Sequence, residues 1–133
     1  MNKTVLLVED DPDTRLIYGT MLRAAGYDVV EAKDGREGVG LAAAHRPDAI
    51  IMNLVLPGVD GISATEMIRK DATMAHVPII VCTAFLQAEG EALAEEAGGS
   101  VYLEKPCSPS RLVEEVRRLT SDGMTTPVVA GGI

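Results

Sequence analysis

Short apolar runs alternate with helix-length segments along the whole chain. The runs at 5–8, 49–52 and 79–82 are apolar at every position, which is typical of parallel strands that are covered on both faces. The run at 28–32 mixes polar and apolar residues, as an edge strand does. The pattern therefore predicts five strands, at 5–8, 28–32, 49–52, 78–82 and 101–103.

The segments between these strands carry the signals of helices. A capping side chain precedes three of them, Asp11, Asp34 and Ser108, and such a side chain can accept a hydrogen bond from a backbone N–H of the first turn. The third and fourth helices are expected at about 62–70 and 87–97. On the first helix, the apolar spacing predicts a core-facing stripe of Ile17, Met21, Ala24 and Ala25.

The element order is a strand followed by a helix, repeated five times. Because crossovers between parallel strands are right-handed, this order predicts an α/β fold in which a five-stranded parallel sheet carries helices on both faces. We expect a single domain over residues 1–121. Residues 122–133 are rich in Gly, Thr and Pro, and they are expected to form a flexible C-terminal tail.

Composition narrows the functional classes. The formal net charge of −8 disfavours nucleic acid and anionic membranes as direct partners, since both attract basic surfaces. The first apolar run is too short for a signal peptide or a membrane span, so we expect a cytoplasmic location. Cys82 and Cys107 form no C-x-x-C motif, and in a cytosolic chain they are expected to be reduced thiols.

Polar side chains gather where the predicted strands end. Four strands are followed by such residues, which are in turn Glu9 and Asp10, Asn53, Thr83, and Lys105. In a parallel sheet these ends share one edge, where functional groups collect. Carboxylates there suit a hard cation such as Mg²⁺. A metal, a lysine and a hydroxyl can together clamp the oxygens of a phosphoryl group.

Four stretches resemble the receiver domains of bacterial two-component response regulators. They are "VLLVEDDPDTR", "PDAIIMNLVLPGVDG", "VPIIVCTA" and "YLEKP". The resemblance covers about residues 3–121 and is nearest to the stand-alone, chemotaxis-regulator-like form. It implies a flavodoxin-like sheet with strand order 2-1-3-4-5. It also implies a phosphorelay switch rather than an enzyme.

The resemblance implies a metal site at the sheet edge. Glu9 and Asp10 would be the acidic pair that holds Mg²⁺, with Asp10 the more direct ligand. Position 53 and the backbone carbonyl of Val55 would complete the ligands that the protein supplies.

The resemblance also implies a phosphoryl site and a switch. Thr83 and Lys105 would contact the phosphoryl group, and the peptide bond before Pro106 would be cis. Tyr102 stands where the family keeps its switch aromatic, which turns inward when the threonine moves.

Asn53 departs from the family pattern, which has an aspartate phosphoacceptor at this position. A carboxylate oxygen can attack a phosphohistidine and form an acyl phosphate, whereas a carboxamide carries no anionic oxygen. The chain is therefore expected not to accept a phosphoryl group by the family's route, and its Mg²⁺ site is expected to be weakened. Three explanations are open: an engineered Asp→Asn change, a natural degenerate receiver that acts as a phosphorylation-independent interaction module, and a chemical or sequencing error.

The end of the first strand disfavours two other classes on related folds. A phosphatase of the haloacid dehalogenase type needs D-x-D-x-[TV] spacing, which "EDDPDT" lacks. A flavodoxin needs a hydroxyl-rich phosphate loop at this place, where "EDDPD" would repel phosphate.

As a receiver, the chain would have two protein partners. One is a sensor histidine kinase or phosphotransfer protein, and the other is a downstream target. The resemblance places the target on the face formed by the fourth helix, the fifth strand and the fifth helix. The fourth helix is rich in Glu, although such a run is more often a solvated face. No output domain follows the last helix, so we expect the chain to act through these partners.

Overall fold

A computed structural model describes residues 2–54, 56, 58–84 and 88–121. Val55 and the expected tail at 122–133 lie outside the described residues. The strands are β1 (Thr4–Val8), β2 (Asp28–Ala32), β3 (Ala49–Met52), β4 (Ile79–Thr83) and β5 (Val101–Glu104). The helices are α1 (Pro12–Ala24), α2 (Gly35–His45), α3 (Gly61–Arg69), α4 (Ala88–Ala97) and α5 (Pro109–Thr120), with a short 3₁₀ helix at Ala72–Met74.

The five strands form one parallel sheet in the order β2-β1-β3-β4-β5. This confirms the predicted α/β fold and its strand order. In the register of the sheet, Val8 lies beside both Ala32 and Met52, and Thr83 lies beside Glu104. The strands therefore end close to one another, and the residues that follow them share one edge.

The core has two halves, one on each face of the sheet. Because side chains alternate along a strand, Leu6 and Val8 face α2, α3 and α4, whereas Val5 and Leu7 face α1 and α5. All of these side chains are fully buried. The three strands that were predicted to be covered on both faces are the ones that occupy the middle of the sheet.

The predicted stripe on α1 is wrong at Ile17, Met21 and Ala24, which are exposed, whereas Ala25 packs against the core. Ile17 and Met21 are 52% and 39% exposed, and the buried residues of the helix are Tyr18, Gly19 and Leu22. The helical period fits both sets, since they are shifted by a single residue. Tyr18 and Leu22 pack in the half of the core that faces α5, and the Tyr18 hydroxyl donates a hydrogen bond to the Cys107 carbonyl at 3.0 Å.

The capping predictions agree with the structure. Asp11, Asp34 and Ser108 each accept a hydrogen bond from a backbone N–H in the first turn of the helix that follows. Asp71 caps the 3₁₀ helix in the same way, and that short element was not predicted. In the described part of the chain, no helix is long and apolar enough to cross a membrane.

Gly61 lets the start of α3 lie close to the end of β3. A Cβ atom at this position would lie 2.1 Å from the Asn53 carbonyl oxygen. The Gly61 N–H also donates to the Leu54 carbonyl at 2.9 Å. The first residue of α3 is thus packed against the backbone of residue 53 and helps to set where its side chain points.

We predict that Gly61→Ala lowers the free energy of unfolding by at least about 2 kcal/mol, because the new methyl group must displace backbone. Gly40→Ala is the matched control. A Cβ at Gly40 meets nothing within 4 Å, and Ala is favoured over Gly inside a helix by up to about 1 kcal/mol. Urea unfolding monitored by circular dichroism measures both changes. Equal stability of the Gly61→Ala chain and the unmodified chain would show that the close approach is not a constraint.

Candidate functional site

The sheet edge brings together the polar residues that the sequence singled out. Glu9 and Asp10 follow β1, Asn53 follows β3, Thr83 ends β4, and Lys105 follows β5. They line one opening of about 270 Å³, together with Asp11, Thr14 and Ala84. Val55, the remaining predicted ligand, lies outside the described residues.

Backbone hydrogen bonds continue past the strand ends and hold these residues in place. The Asn53 N–H donates to the Val8 carbonyl at 3.1 Å, and the Lys105 N–H donates to the Thr83 carbonyl at 2.8 Å. The Lys105–Pro106 peptide bond is cis, the isomer that the resemblance implies. The side chains at this edge are therefore set by the sheet itself rather than by independent loops.

Glu9 is a buried carboxylate with donors at both oxygens. It is 3% exposed. Its Oε1 accepts from Lys105 Nζ at 2.5 Å, and its Oε2 accepts from the Asp11 N–H at 3.1 Å. A buried charge is tolerated only when it is paired and hydrogen-bonded, and this ion pair meets that condition.

Asn53 turns its amide nitrogen toward the acidic pair. Its Nδ2 lies 3.2 Å from Glu9 Oε2 and 3.2 Å from Asp10 Oδ1. Because both neighbours are acceptors, only the nitrogen end of the amide can satisfy them. Asn53 is 7% exposed, so these hydrogen bonds form largely out of water.

This arrangement does not fit a magnesium ion as it stands. Carboxylates are suitable ligands for a hard cation, but Asn53 and Lys105 direct N–H groups at the oxygens that a cation would need. Among the residues that the structure describes, there is no group of three or more His, Cys, Asp or Glu side chains arranged to hold a metal ion.

Arg15 supports the site from behind, and sequence reasoning missed it. Its Nη1 donates to the Glu9 carbonyl at 2.7 Å, and its Nε lies 3.4 Å from Glu31 Oε1. Arg15 thus ties the end of β1 to the edge strand β2. No motif links residues six positions apart across a strand-to-helix turn, so only the folded chain reveals this contact.

Asp11 acts as a helix cap. It accepts hydrogen bonds from the hydroxyl and the backbone N–H of Thr14. Both hydrogen bonds lower the pKa of the Asp11 carboxyl, and the bond from the Thr14 hydroxyl has the larger effect. Asp11 is therefore occupied by the start of α1.

Thr83 and Tyr102 lie at the side of the site toward β5. Thr83 is fully buried. Tyr102 is partly buried, and its hydroxyl donates to the Gly99 carbonyl at 2.7 Å. Burial raises the pKa of this phenol, and Glu95 and Glu91 raise it further. The aromatic side chain is thus tied to the end of α4 in this structure.

Both cysteines are free thiols. Cys82 is buried beside Thr83, and burial raises its pKa to about 11. Cys107 is half-buried, and burial raises its pKa as well. Thiols of this kind are largely protonated near neutral pH and are poor nucleophiles.

A family profile, the response regulator receiver domain, matches residues 5–117. The chain belongs to the response regulator receiver family. The polar-differentiation response regulator DivK of Brucella anthropi is 33% identical to this receiver over 122 residues, which are 92% of this chain and 99% of DivK.

Solved receiver structures share the fold. The chemotaxis protein CheY4 of Vibrio cholerae superposes with a TM-score of 0.85 at 28% identity, covering 90% of this chain and 99% of that one. The receiver domain of a sensor histidine kinase from Pseudomonas aeruginosa gives a TM-score of 0.84 at 37% identity, covering 90% and 98%. That protein holds a magnesium ion in its active-site cleft.

Proposed function

We propose that this receiver is a phosphorelay interaction switch whose acceptor position is blocked by Asn53. The observation that carries the proposal is the position of Asn53. Its backbone continues the ladder from β1, and its side chain meets Glu9 and Asp10 at the edge that Thr83 and Lys105 also line. The receiver's site residues are present, and the residue between them lacks a nucleophilic oxygen.

The proposed chemistry follows from the difference between an amide and a carboxylate. In a receiver with Asp at this position, a carboxylate oxygen forms the new bond to phosphorus while the bond from phosphorus to its donor breaks. The amide oxygen of Asn53 is neutral and the amide nitrogen is delocalised, so neither can take this role. Lys105 would stabilise charge on a phosphoryl group. The Thr83 hydroxyl would hydrogen-bond to the same group, and Tyr102 would follow its movement.

The proposed partners are proteins. A sensor histidine kinase or phosphotransfer protein would dock at the site edge, and a downstream target would dock on the face of α4, β5 and α5. Exposed acidic side chains on α4, among them Glu91, Glu95 and Glu96, support a partner with a basic surface. The net charge of −8 argues against direct binding of nucleic acid, and the proposed location is cytoplasmic.

Asn53→Asp alone is predicted to restore phosphorylation. The two side chains are nearly isosteric, and the acids, the hydroxyl and the lysine are already at the site. With a small acyl-phosphate donor and Mg²⁺, the variant should gain one phosphoryl group that is labile in base, and the unmodified chain should gain none. Intact-mass spectrometry measures both outcomes.

Asn2→Asp is the matched control for this experiment, because it makes the same substitution at an exposed position. It should gain no mass. Adding Thr83→Ala to Asn53→Asp should leave labelling intact but abolish the movement of Tyr102. Failure of Asn53→Asp to be labelled would contradict the proposal. Labelling of the unmodified chain would assign the nucleophile to another residue, with Asp10 the first to test.

Magnesium binding is predicted to depend on the same residue. Asn53→Asp adds a carboxylate ligand and removes the two N–H groups that face the acidic pair. We expect the variant to bind Mg²⁺ at least ~10-fold more tightly than the unmodified chain, a difference of about 1.4 kcal/mol. Isothermal titration calorimetry measures the two affinities, with Asn2→Asp as the control for added charge. Equal affinities would show that residue 53 does not contribute to the site.

A further inference from the structure

The acidic pair already has its donors from within the chain. Glu9 Oε1 accepts a hydrogen bond from Lys105 Nζ, and Glu9 Oε2 accepts hydrogen bonds from the Asp11 N–H and from Asn53 Nδ2. Asp10 Oδ1 accepts a further hydrogen bond from Asn53 Nδ2. Three of the four carboxylate oxygens of the pair are thus occupied by nitrogen donors of the protein.

Lys105 is the cation that balances the buried carboxylate. Its side chain is 18% exposed and that of Glu9 is 4% exposed, so the ion pair is shielded from water. Arg15 is also close, but it donates to the Glu9 carbonyl and pairs with Glu31. In the described part of the chain, Lys105 is therefore the cationic side chain placed against the Glu9 carboxylate.

A metal ion and these donors would compete for the same oxygens. A cation bound between Glu9 and Asp10 needs their lone pairs and an oxygen from residue 53. The amide of Asn53 presents hydrogens instead, and the ammonium group of Lys105 occupies the remaining Glu9 oxygen. Metal binding would require the amide to turn over and the Lys105–Glu9 pair to open.

We propose that Lys105 and Asn53 take the place of the metal ion. Lys105 supplies the positive charge, and Asn53 bridges the two carboxylates by hydrogen bonds. The unmodified receiver is consequently held in one ordered arrangement without Mg²⁺, and its stability does not respond to the ion. Lys105 is in this respect a positioning residue that acts on Glu9. The proposal goes beyond phosphoryl transfer and does not depend on it.

Changing either residue should create a response to Mg²⁺. Lys105→Met leaves Glu9 buried without its counter-ion, which is strongly destabilising, and it opens the oxygen that a metal ion can then occupy. Asn53→Asp removes the bridging donors and sets three carboxylates at one edge, whose mutual repulsion a metal ion relieves. A ligand that binds only the folded state of a protein raises the melting temperature of that protein.

The test is thermal unfolding of four proteins, each with a chelator and with about 10 mM Mg²⁺ at matched ionic strength. They are the unmodified chain, Lys105→Met, Asn53→Asp, and the control Lys70→Met. Lys70 is exposed at the far end of α3, so the control removes the same charge away from the site. Circular dichroism follows unfolding without requiring labels or a phosphodonor.

For the unmodified chain and for Lys70→Met, the melting temperatures with and without Mg²⁺ should differ by no more than about 1 °C. Lys105→Met should melt at least about 5 °C lower than the unmodified chain in chelator, and Mg²⁺ should restore much of the difference. Asn53→Asp should also gain stability with Mg²⁺.

A rise in the melting temperature of the unmodified chain as large as that of Asn53→Asp would overturn the proposal. So would a Lys105→Met protein that ignores Mg²⁺. If Lys105→Met cannot be purified in folded form, the proposal is tested by comparing the Mg²⁺ response of the unmodified chain with that of Asn53→Asp. Failure of phosphorylation would instead leave the melting pattern intact, so the two proposals fail separately.

Discussion

The structure of the site depends on one buried charge, the Glu9 carboxylate. A carboxylate that is 3% exposed is tolerated only with a counter-ion and hydrogen bonds. Lys105, 96 residues further along the chain, provides the counter-ion, with its Nζ 2.5 Å from Glu9 Oε1. This single contact joins the end of β1 to the chain that follows β5. The Asn53 amide donates to the same carboxylate, at Oε2.

The parallel sheet makes this convergence possible. Its strands run in one direction, so residues far apart in sequence leave the sheet at one edge. The backbone ladder continues past the ends of β3 and β5, where the N–H groups of Asn53 and Lys105 donate to the last residues of β1 and β4. Gly61 then allows the start of α3 to pack against the backbone of Asn53. Rigid strands thus fix the distances between side chains, and the identity of residue 53 decides what the site can do chemically.

Much of the fold could be predicted from the sequence, because its signals are local. Continuous apolar runs marked the central strands, and Asp11, Asp34 and Ser108 marked helix starts through hydrogen bonds within one turn. The face of α1 could not be read in this way. Ile17 and Met21 have the same spacing as Tyr18 and Leu22, and only packing against the sheet and α5 separates the two sets.

The sequence predicted which residues gather at the sheet edge, but not the contacts between them. Strand ends identified Glu9, Asp10, Asn53, Thr83 and Lys105. The partner of Lys105, the direction of the Asn53 amide and the place of Arg15 depend on tertiary distances that no spacing encodes. Asn53 was expected to weaken a metal site by removing a carboxylate. The structure adds that the Asn53 amide and the Lys105 ammonium group donate hydrogen bonds to the carboxylate oxygens that a metal ion would use.

Asn53 donates to the acidic pair, and its side-chain amide can be observed directly by ¹⁵N NMR. The chain contains two asparagines and one glutamine, so the side-chain amide signal that is lost in Asn53→Asp is the one that belongs to Asn53. We expect the Asn53 amide protons to exchange slowly with water and not to shift when Mg²⁺ is added. Asn53 protons that exchange as fast as those of exposed Asn2, or that shift with Mg²⁺, would contradict this expectation.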